Sequence, residues 1–206
     1  MYNCALCSIH VCSSGELNHA PKNCPCMDEK MDGIKELYNE EENFKIAQAS
    51  ALVVSEGYCE KTRLEETMDF ANKCGYKKIG LAFCIGLVQE SKVLSKVLSY
   101  HGFEVSSVIC KNGHLSRELI DIDPIKVAMC NPVGQAIFLN ESKTDLNIVV
   151  GLCVGHDSLF IKYSEAPITV FAVKDRVLCH NPLAVIYQAD SYYKDKLFPE
   201  KMTTDK

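Results

Sequence analysis

The 206-residue sequence has no apolar run long enough to span a membrane, and its start, MYNCALCSIH, has neither the basic nor the apolar segment of a secretory leader. It also lacks a basic face. The formal net charge is −5, and residues 1–43 hold eight acidic residues against three lysines, while the remainder is balanced at 19 against 19. These absences predict a cytoplasmic protein with no membrane partner, and they argue against a nucleic-acid partner.

Cysteine is the residue in excess, with twelve copies. In a secreted chain they would indicate disulfides, but in a reducing cytosol metal ligation or catalysis explains them better. A hydrophobic fraction of 47% is sufficient for a core. The composition therefore predicts one domain of ordinary size, with a small appendage, whose chemistry depends on thiols.

Five of the cysteines lie within residues 1–26. The first two are spaced as Cys-x2-Cys, which lets two thiolates meet one metal ion, and later cysteines are available to complete the shell. We expect one bound metal, and the spacing does not separate zinc from an iron–sulfur cluster. The alternative is a flexible tail of reduced thiols. The expected ligands are Cys4, Cys7, Cys12 and Cys24, with Cys26 as a spare.

The rest of the chain divides by composition. Residues 27–42 are polar and acidic, so residues 1–43 are predicted to form a Cys-rich metal-binding module with an acidic linker. Residues 44–193 alternate short apolar runs with amphipathic segments, a pattern typical of a three-layer α/β domain with a mainly parallel, Rossmann-like sheet. Residues 194–206 are expected to form a polar tail. Strands are predicted near 78–84, 103–110, 146–152 and 168–174, with a weaker candidate near 125–130.

Capping residues mark the expected helix starts. A Ser, Thr, Asn or Asp side chain accepts a hydrogen bond from a free N–H of the first turn, and proline suits the first helical position. A threonine with glutamate three residues later forms a capping box. The predicted caps are Asn43, Thr62 with Glu65, Asn131 before Pro132, and Asn181 before Pro182, the last opening a helix to about Tyr193.

The stretch 146–175 reads as strand, turn, helix and strand, the order of a βαβ unit. In such units ligands bind beyond the carboxyl ends of the strands. Cys153 and His156 lie there, in the turn before the helix, so their position alone indicates function. For His156 the sequence leaves three roles open: a metal ligand, a general acid or base, or a helix-capping residue. Asp157 is placed to orient it.

Further cysteines are expected at the same edge of the sheet. Cys84 and Cys110 end predicted strands, and Cys130 precedes a helix. The carboxyl ends of parallel strands share one edge, and both helix amino ends and glycine-rich turns stabilise thiolates. We therefore expect Cys84, Cys130 and Cys153 to converge as ligands of a cofactor, leaving one coordination position open. Cys110 and Cys179 read more simply as structural residues.

Six segments carry a resemblance to a known family: CALCSIHVC…NCP, SEGYCEKTRLEE, IGLAFCIGL, MCNPVGQA, GLCVGHDSLFIKYS and VKDRVLCHNPLAVIY. Together they resemble domain-of-unknown-function family 1847, described as uncharacterised metal-binding proteins. The resemblance covers Cys4 to about Tyr187. It implies a cysteine-bound metal centre and a distribution among anaerobic bacteria and archaea, and it supplies no reaction. Cys26 and Cys179 stand outside the usual pattern of the family.

Four functions stay open. In the first, Cys84, Cys130 and Cys153 hold an iron–sulfur cluster whose open iron acts as a Lewis acid or accepts sulfide from a substrate. His156 would then handle protons, and Lys174 or Arg176 would hold an anionic substrate. The second is a carrier of electrons or metal ions, and the third is a structural or regulatory module that zinc helps to fold.

The fourth function is metal-free thiol catalysis, with Cys153 as nucleophile and His156 as base. Several cysteines, and not one, end strands or precede helices at the predicted sheet edge. That number favours a metal protein over a thiol catalyst. Whether the protein is an enzyme, and which substrate, redox partner and oligomeric state it has, the sequence leaves open.

Overall fold

The computed structural model describes residues 2–123 and 126–199. These residues form two compact units, which divide after Glu60. The boundary expected from the sequence, at residue 43, differs from this division by one long helix, which belongs to the first unit. Among the described residues, no helix is both long enough and apolar enough to cross a membrane.

The first unit consists of short helical turns followed by one long helix. Val11 is the single buried side chain among its described residues 2–40. The Tyr2 hydroxyl donates a hydrogen bond to the Asp28 carboxylate and ties the two ends of the Cys-rich segment together. The 3-10 turns are Cys4–Leu6, Leu17–His19 and Pro25–Met27, and the helices are α1 (Val11–Ser14), α2 (Met31–Leu37) and α3 (Glu41–Gly57).

Helix α3 begins at Glu41, three residues before the position predicted from the sequence, so the predicted cap at Asn43 is wrong. Glu40 occupies the N-cap position, and Glu41 and Glu42 fill the first turn, where negative charge is favourable. The Asn43 side chain instead donates backwards, to the Leu37 carbonyl at 3.0 Å and to Glu40 Oε2 at 2.9 Å. It therefore holds the preceding turn and does not cap the helix.

The second unit contains a four-stranded, all-parallel sheet in the order β2-β1-β3-β4. Its strands are β1 (Lys78–Phe83), β2 (Glu104–Ile109), β3 (Leu146–Val150) and β4 (Ile168–Ala172). All of β3 is buried, as expected for a central strand. The prediction of an α/β fold with a parallel sheet is confirmed, and the four predicted strands agree with the observed ones to within two residues.

The weaker strand candidate near 125–130 is wrong for residues 126–130, which form a loop; residue 125 lies outside the described part of the chain. The N–H of Met129 donates to the Leu115 carbonyl at 2.9 Å, and the N–H of Asn131 donates to the Cys110 carbonyl at 2.7 Å. Because these donors bond to another loop and to the residue after β2, they build no sheet ladder.

Helices connect the strands and complete the second unit. The Thr62–Glu65 capping box is present in full, and Asn131 Oδ1 accepts from the N–H of Gly134 at 2.9 Å. Both predicted caps are confirmed. Residues 200–206 of the predicted tail lie outside the described residues. The helices are α4 (Arg63–Lys73), α5 (Val88–Tyr100), α6 (Pro132–Glu141), α7 (His156–Tyr163), α8 (Leu183–Tyr187) and α9 (Lys194–Leu197), and the 3-10 turns are Ile85–Leu87, Asn112–His114 and Arg117–Ile120.

The final predicted helix is wrong in both its cap and its length. Helix α8 has Pro182 at its N-cap, with no side-chain cap hydrogen bond, so Asn181 does not cap it. The helix ends at Tyr187 instead of reaching residue 193. Just beyond, the Ser191 hydroxyl bonds the side chain and carbonyl of Gln188, and such local bonds compete with helix continuation.

Candidate metal centre at the sheet edge

The topological switch point of the sheet lies next to two of the predicted site residues. From β1 the chain crosses to β2 on one side of the sheet and then returns to β3 on the other. In open parallel sheets, ligands bind in the crevice at such a reversal, outside the carboxyl ends of the strands. Cys84 follows β1 directly, and Cys153 is the third residue after β3. Both therefore lie where this kind of fold favours a ligand.

Backbone hydrogen bonds bring two further cysteines to the same corner. The N–H of Cys84 donates to the last carbonyl of β3 at 3.1 Å, and the N–H of Cys110 donates to the Phe83 carbonyl at 2.9 Å. Cys84 and Cys110 are therefore neighbours at the ends of β1 and β2. The bond from Asn131 to the Cys110 carbonyl places Cys130 beside them. The sheet-edge cysteines, as we call them, are Cys84, Cys110, Cys130 and Cys153.

A buried glutamine fixes the strand ends beneath these cysteines. Gln135 on α6 is fully buried, and its Nε2 donates to the carbonyls of Phe83 at 3.2 Å and Val108 at 2.7 Å. These carbonyls lie one and two residues before Cys84 and Cys110. Because one amide bridges β1 and β2 at this point, the spacing of the two thiols is set by the core and not by loops.

Backbone N–H groups point at two of the sulfurs. The N–H of Ile85 lies 3.3 Å from the Cys110 sulfur, and the N–H of Gly86 lies 3.5 Å from the Cys84 sulfur. Both cysteines are buried, with 3% and 6% of their surface exposed. A backbone donor stabilises negative charge on sulfur, so this turn after β1 offers what a buried thiolate requires.

The two buried thiols differ in acidity because their neighbours differ. Burial raises the pKa of Cys110 to about 12, and the adjacent sulfurs of Cys130 and Cys84 add to the rise while a backbone N–H opposes it. Burial also acts to raise the pKa of Cys84, but the Gly86 N–H and the Lys174 ammonium outweigh it, and that pKa is lowered. The two neighbouring thiols therefore have pKa values shifted in opposite directions.

Cys153 is half-buried, and its sulfur contacts a cation. Arg176 Nη2 donates to the Cys153 sulfur at 3.2 Å, and this contact raises the pKa of Arg176, with smaller contributions from Cys84 and Cys130. One guanidinium therefore lies within electrostatic reach of three sulfurs. Lys174 adds a second cation through its hydrogen bond to Cys84.

The loop that presents these two cations is held by its own hydrogen bonds. Asp175 Oδ1 accepts from the N–H groups of Val177 and Leu178 at 2.9 Å and 2.8 Å, and the N–H of Asp175 donates to His180 Nδ1 at 3.1 Å. Cys179 and His180 both have left-handed backbone, with φ of 50° and 65°. Non-glycine residues adopt this region at a cost, so the loop is held in a specific shape. His180 supports that shape.

His156 begins α7, and its N–H donates to the Cys153 carbonyl at 2.9 Å. The half-buried side chain lines a pocket together with Cys130. Asp157, expected to orient His156, instead accepts from the N–H of Ser158 at 2.8 Å. That carboxylate oxygen therefore bonds to the backbone of the first turn of α7.

In the first unit, three of the predicted ligands line one pocket of about 370 Å³: Cys4, Cys7 and Cys24. Hydrogen bonds from the backbone N–H groups of His10 and Ile9 lower the pKa of Cys7. Cys24 is hydrogen-bonded to Cys26 and raises its pKa, with a smaller contribution from Cys12. Cys4, Cys7 and Cys24 therefore share a pocket and Cys24 contacts Cys26, although Cys4 and Cys12 are exposed.

No group of three or more His, Cys, Asp or Glu side chains is arranged to hold a metal ion, in either unit, within the described residues. The sulfurs are gathered at the sheet edge and in the amino-terminal pocket without being closed into a coordination shell. The ligand assignments made from the sequence therefore stay predictions.

Cys110 is the residue at this edge that the sequence analysis set aside. Its contacts follow from the pairing of β1 with β2, in which Phe83 lies opposite Ile109, so that the next residue of each strand is a cysteine. A cysteine directly after an apolar strand is visible in the sequence at both places. The register that makes them neighbours is not, because it depends on which strands pair.

Comparisons with known proteins support the resemblance drawn from the sequence motifs. The family profile described as "Protein of unknown function (DUF1847)" matches residues 24–171, which include all four sheet-edge cysteines. The "Uncharacterized protein MJ0455" of Methanocaldococcus jannaschii is 48% identical over 202 residues, which cover 96% of this chain and 99% of that protein. No solved structure gives a significant match.

Proposed function

The chain belongs to the DUF1847 family of proteins of unknown function, and we propose that it is a metal protein whose centre is held by thiolates at the carboxyl edge of a Rossmann-like sheet. The observation that carries this proposal is the buried corner in which the Cys110 sulfur interacts with Cys84 and Cys130. Several thiols that share one corner and receive backbone N–H donors suit a metal better than a single catalytic thiol does.

Cys84, Cys110 and Cys130 are the proposed fixed ligands, which adds Cys110 to the set expected from the sequence. Thiolates are soft ligands that suit zinc and iron–sulfur clusters, and a metal deprotonates a coordinating thiol outright, so the high pKa of Cys110 is no obstacle. If zinc were bound, these three residues would supply thiolate ligands at the usual distance of about 2.3 Å. The three residues are neighbours, but their sulfurs would have to move together to form such a shell.

Cys153 is the proposed fourth and exchangeable ligand. Its sulfur is shared with Arg176, which weakens its donation to a metal, and it lies between Gly151 and Gly155, both in left-handed backbone. Release of Cys153 from a bound metal would leave one coordination position open. A bound iron–sulfur cluster would supply electron transfer and, with that position open, Lewis-acid chemistry.

The surrounding residues have separate tasks in this proposal. Lys174 and Arg176 offset the negative charge of the thiolates, and the loop bonded through Asp175 keeps them in place. His156 exchanges protons at the rim beside Cys130. A redox or sulfur-handling enzyme uses all of these groups, whereas an electron or metal carrier requires only the ligands and the cations.

Metal-free thiol catalysis by Cys153 with His156 as base is the second candidate. The contact between Arg176 and the Cys153 sulfur favours it, because a guanidinium stabilises a thiolate. A catalytic pair also requires the base within hydrogen-bonding reach of the sulfur. The hydrogen bond that joins His156 to Cys153 runs between backbone groups. Metal binding therefore accounts for more of the sheet-edge cysteines and their neighbours than thiol catalysis does.

A second metal, bound by Cys4, Cys7, Cys12 and Cys24, belongs to the proposal. The shared pocket of three of these residues and the backbone donors to Cys7 support it. No disulfide joins any of the twelve cysteines. Such a chain suits a reducing compartment, so we place the protein in the cytoplasm of an anaerobe.

The proposal is tested by the iron, zinc and acid-labile sulfide content of protein purified strictly without oxygen. We expect wild-type protein to contain metal at both sites. Cys84→Ala, Cys110→Ala and Cys130→Ala should each lose the sheet-edge metal, and Cys153→Ala should keep part of it. The matched control is Cys179→Ala, which removes an exposed thiol nearby and should leave the content unchanged. If all three ligand variants keep the wild-type content, the proposal fails.

A further inference from the structure

A pocket of about 340 Å³ lies beside Cys130 in the second unit. Its volume is that of a site for a small organic molecule. Because Cys130 is also a proposed metal ligand, the pocket adjoins the proposed centre. The wall residues that bear on its chemistry are Lys111, Arg117, Ile120, Ile122, Cys130 and His156.

The charge in this pocket has one sign. Among the described residues, no aspartate or glutamate lines it, while Lys111 and Arg117 do. The Lys111 ammonium donates to the Ala128 carbonyl and is held in the wall. Arg117 is half-buried, and its side chain makes no hydrogen bond or ion pair with another described residue. A guanidinium that is partly removed from water, and whose five N–H donors have no partner among residues 2–123 and 126–199, favours an anion with two acceptor oxygens.

The apolar part of the wall narrows the ligand class. Ile120 and Ile122 line the pocket and are about half exposed, at 51% and 41%. They are apolar surfaces that a ligand would cover. An inorganic anion would satisfy Arg117 and leave them in water, whereas an organic anion with an apolar body would use both kinds of surface.

We propose that this pocket binds a small organic carboxylate, with its carboxylate on Arg117 and its apolar body against Ile120 and Ile122. His156 and Cys130 then face the bound molecule, which makes it the candidate substrate of the adjoining centre. This last role rests on the proposed function, but the binding itself does not. Arg117 thus replaces Lys174 and Arg176 as the group that holds an anionic substrate, since those two cations already contact sulfurs.

The test uses full-length protein purified without oxygen, with 4-fluorobenzoate as the probe and 4-fluorobenzamide as its uncharged counterpart. Fluorine NMR titration measures both dissociation constants, and metal content is measured on the same samples. Arg117→Gln should weaken benzoate binding at least about tenfold, because a bidentate charge-assisted contact is lost. Lys126→Gln removes the same charge from an exposed position outside the pocket and should change binding less than about twofold. The amide should bind weakly to all three proteins.

The pocket inference is overturned if benzoate does not bind wild-type protein, if Arg117→Gln binds it as tightly as wild type, or if the amide binds as tightly as the acid. Its failure is distinguishable from failure of the proposed function. If benzoate binding depends on Arg117 but the protein contains no metal, the pocket inference is supported and the proposed metal centre is contradicted. If the protein holds the sheet-edge metal but binds no benzoate, the proposed metal centre is supported and the pocket inference is contradicted.

Discussion

The two groups of cysteines are built on different frameworks. In the first unit five cysteines lie within residues 1–26, on or beside 3-10 turns and short helices, and Val11 is the single buried side chain among the described residues 2–40. In the second unit Cys84, Cys110 and Cys130 are far apart in the sequence and meet because a parallel sheet brings its strand ends together. A metal in the first unit would organise the chain, whereas in the second unit the chain organises the site.

Removal of metal should have the largest effect of all, and the loss of hydrogen-exchange protection should differ strongly between the two units. After chelation under reducing conditions, amides of residues 2–27 should lose protection from hydrogen exchange by about a hundredfold or more, because little core holds that segment. Amides of β1 and β3 should change by less than about threefold, since their hydrogen bonds lie in a packed core. Exchange followed by mass spectrometry measures both, and restoring zinc provides the control. Equal loss in the two units would contradict the comparison.

The strands and two of the caps were predictable because their signals are local. Short apolar runs mark the strands, three of which are followed directly by glycine or cysteine, and Thr62 with Glu65 needs only four residues to form its box. Asn43 failed because a run of three glutamates offered a better first turn and left its side chain to bond backwards. The short final helix reflects competition from the Ser191 hydroxyl, which propensity alone does not reveal.

The sheet edge was predictable in outline and not in detail. Strand ends of a parallel sheet share one side, so Cys84 and Cys153 could be placed there from their positions in the sequence. The interactions of Cys110 depend on the register between β1 and β2, and the contact of Arg176 with Cys153 depends on a loop of unusual backbone. Both are tertiary features with no counterpart in local sequence.

A smaller effect should come from the cation at the rim. Arg176→Gln should weaken metal binding at the sheet edge about tenfold, the usual scale for losing a partner of a metal ligand. Competition with a chromogenic chelator measures this, in a Cys4→Ala, Cys7→Ala background that removes the amino-terminal site. Lys162→Gln takes the same charge from a lysine that lies over Tyr163 and should have no such effect. Equal affinities in the two variants would show that Arg176 does not act on the centre.

The smallest effect should come from the capping box of α4. Thr62→Ala removes the side chain that accepts from the N–H of Glu65, and it should lower the free energy of unfolding of the second unit by about 1 kcal/mol. Denaturant unfolding measures the loss, and Thr62→Ser, which keeps the hydroxyl, should recover most of it. Metal content should stay unchanged in both variants. A loss of sheet-edge metal in Thr62→Ala would mean that metal binding at the sheet edge depends on the stability of α4.

Anomalous diffraction from crystals grown without oxygen, recorded at the iron and zinc absorption edges, tests the central claim most directly. We expect an anomalous peak at the carboxyl edge of the sheet, about 2.3 Å from the sulfurs of Cys84, Cys110 and Cys130 if the metal is zinc. For an iron–sulfur cluster, the peaks should be bonded to the same three sulfurs. A protein that contains metal but shows peaks solely among the amino-terminal cysteines would contradict it.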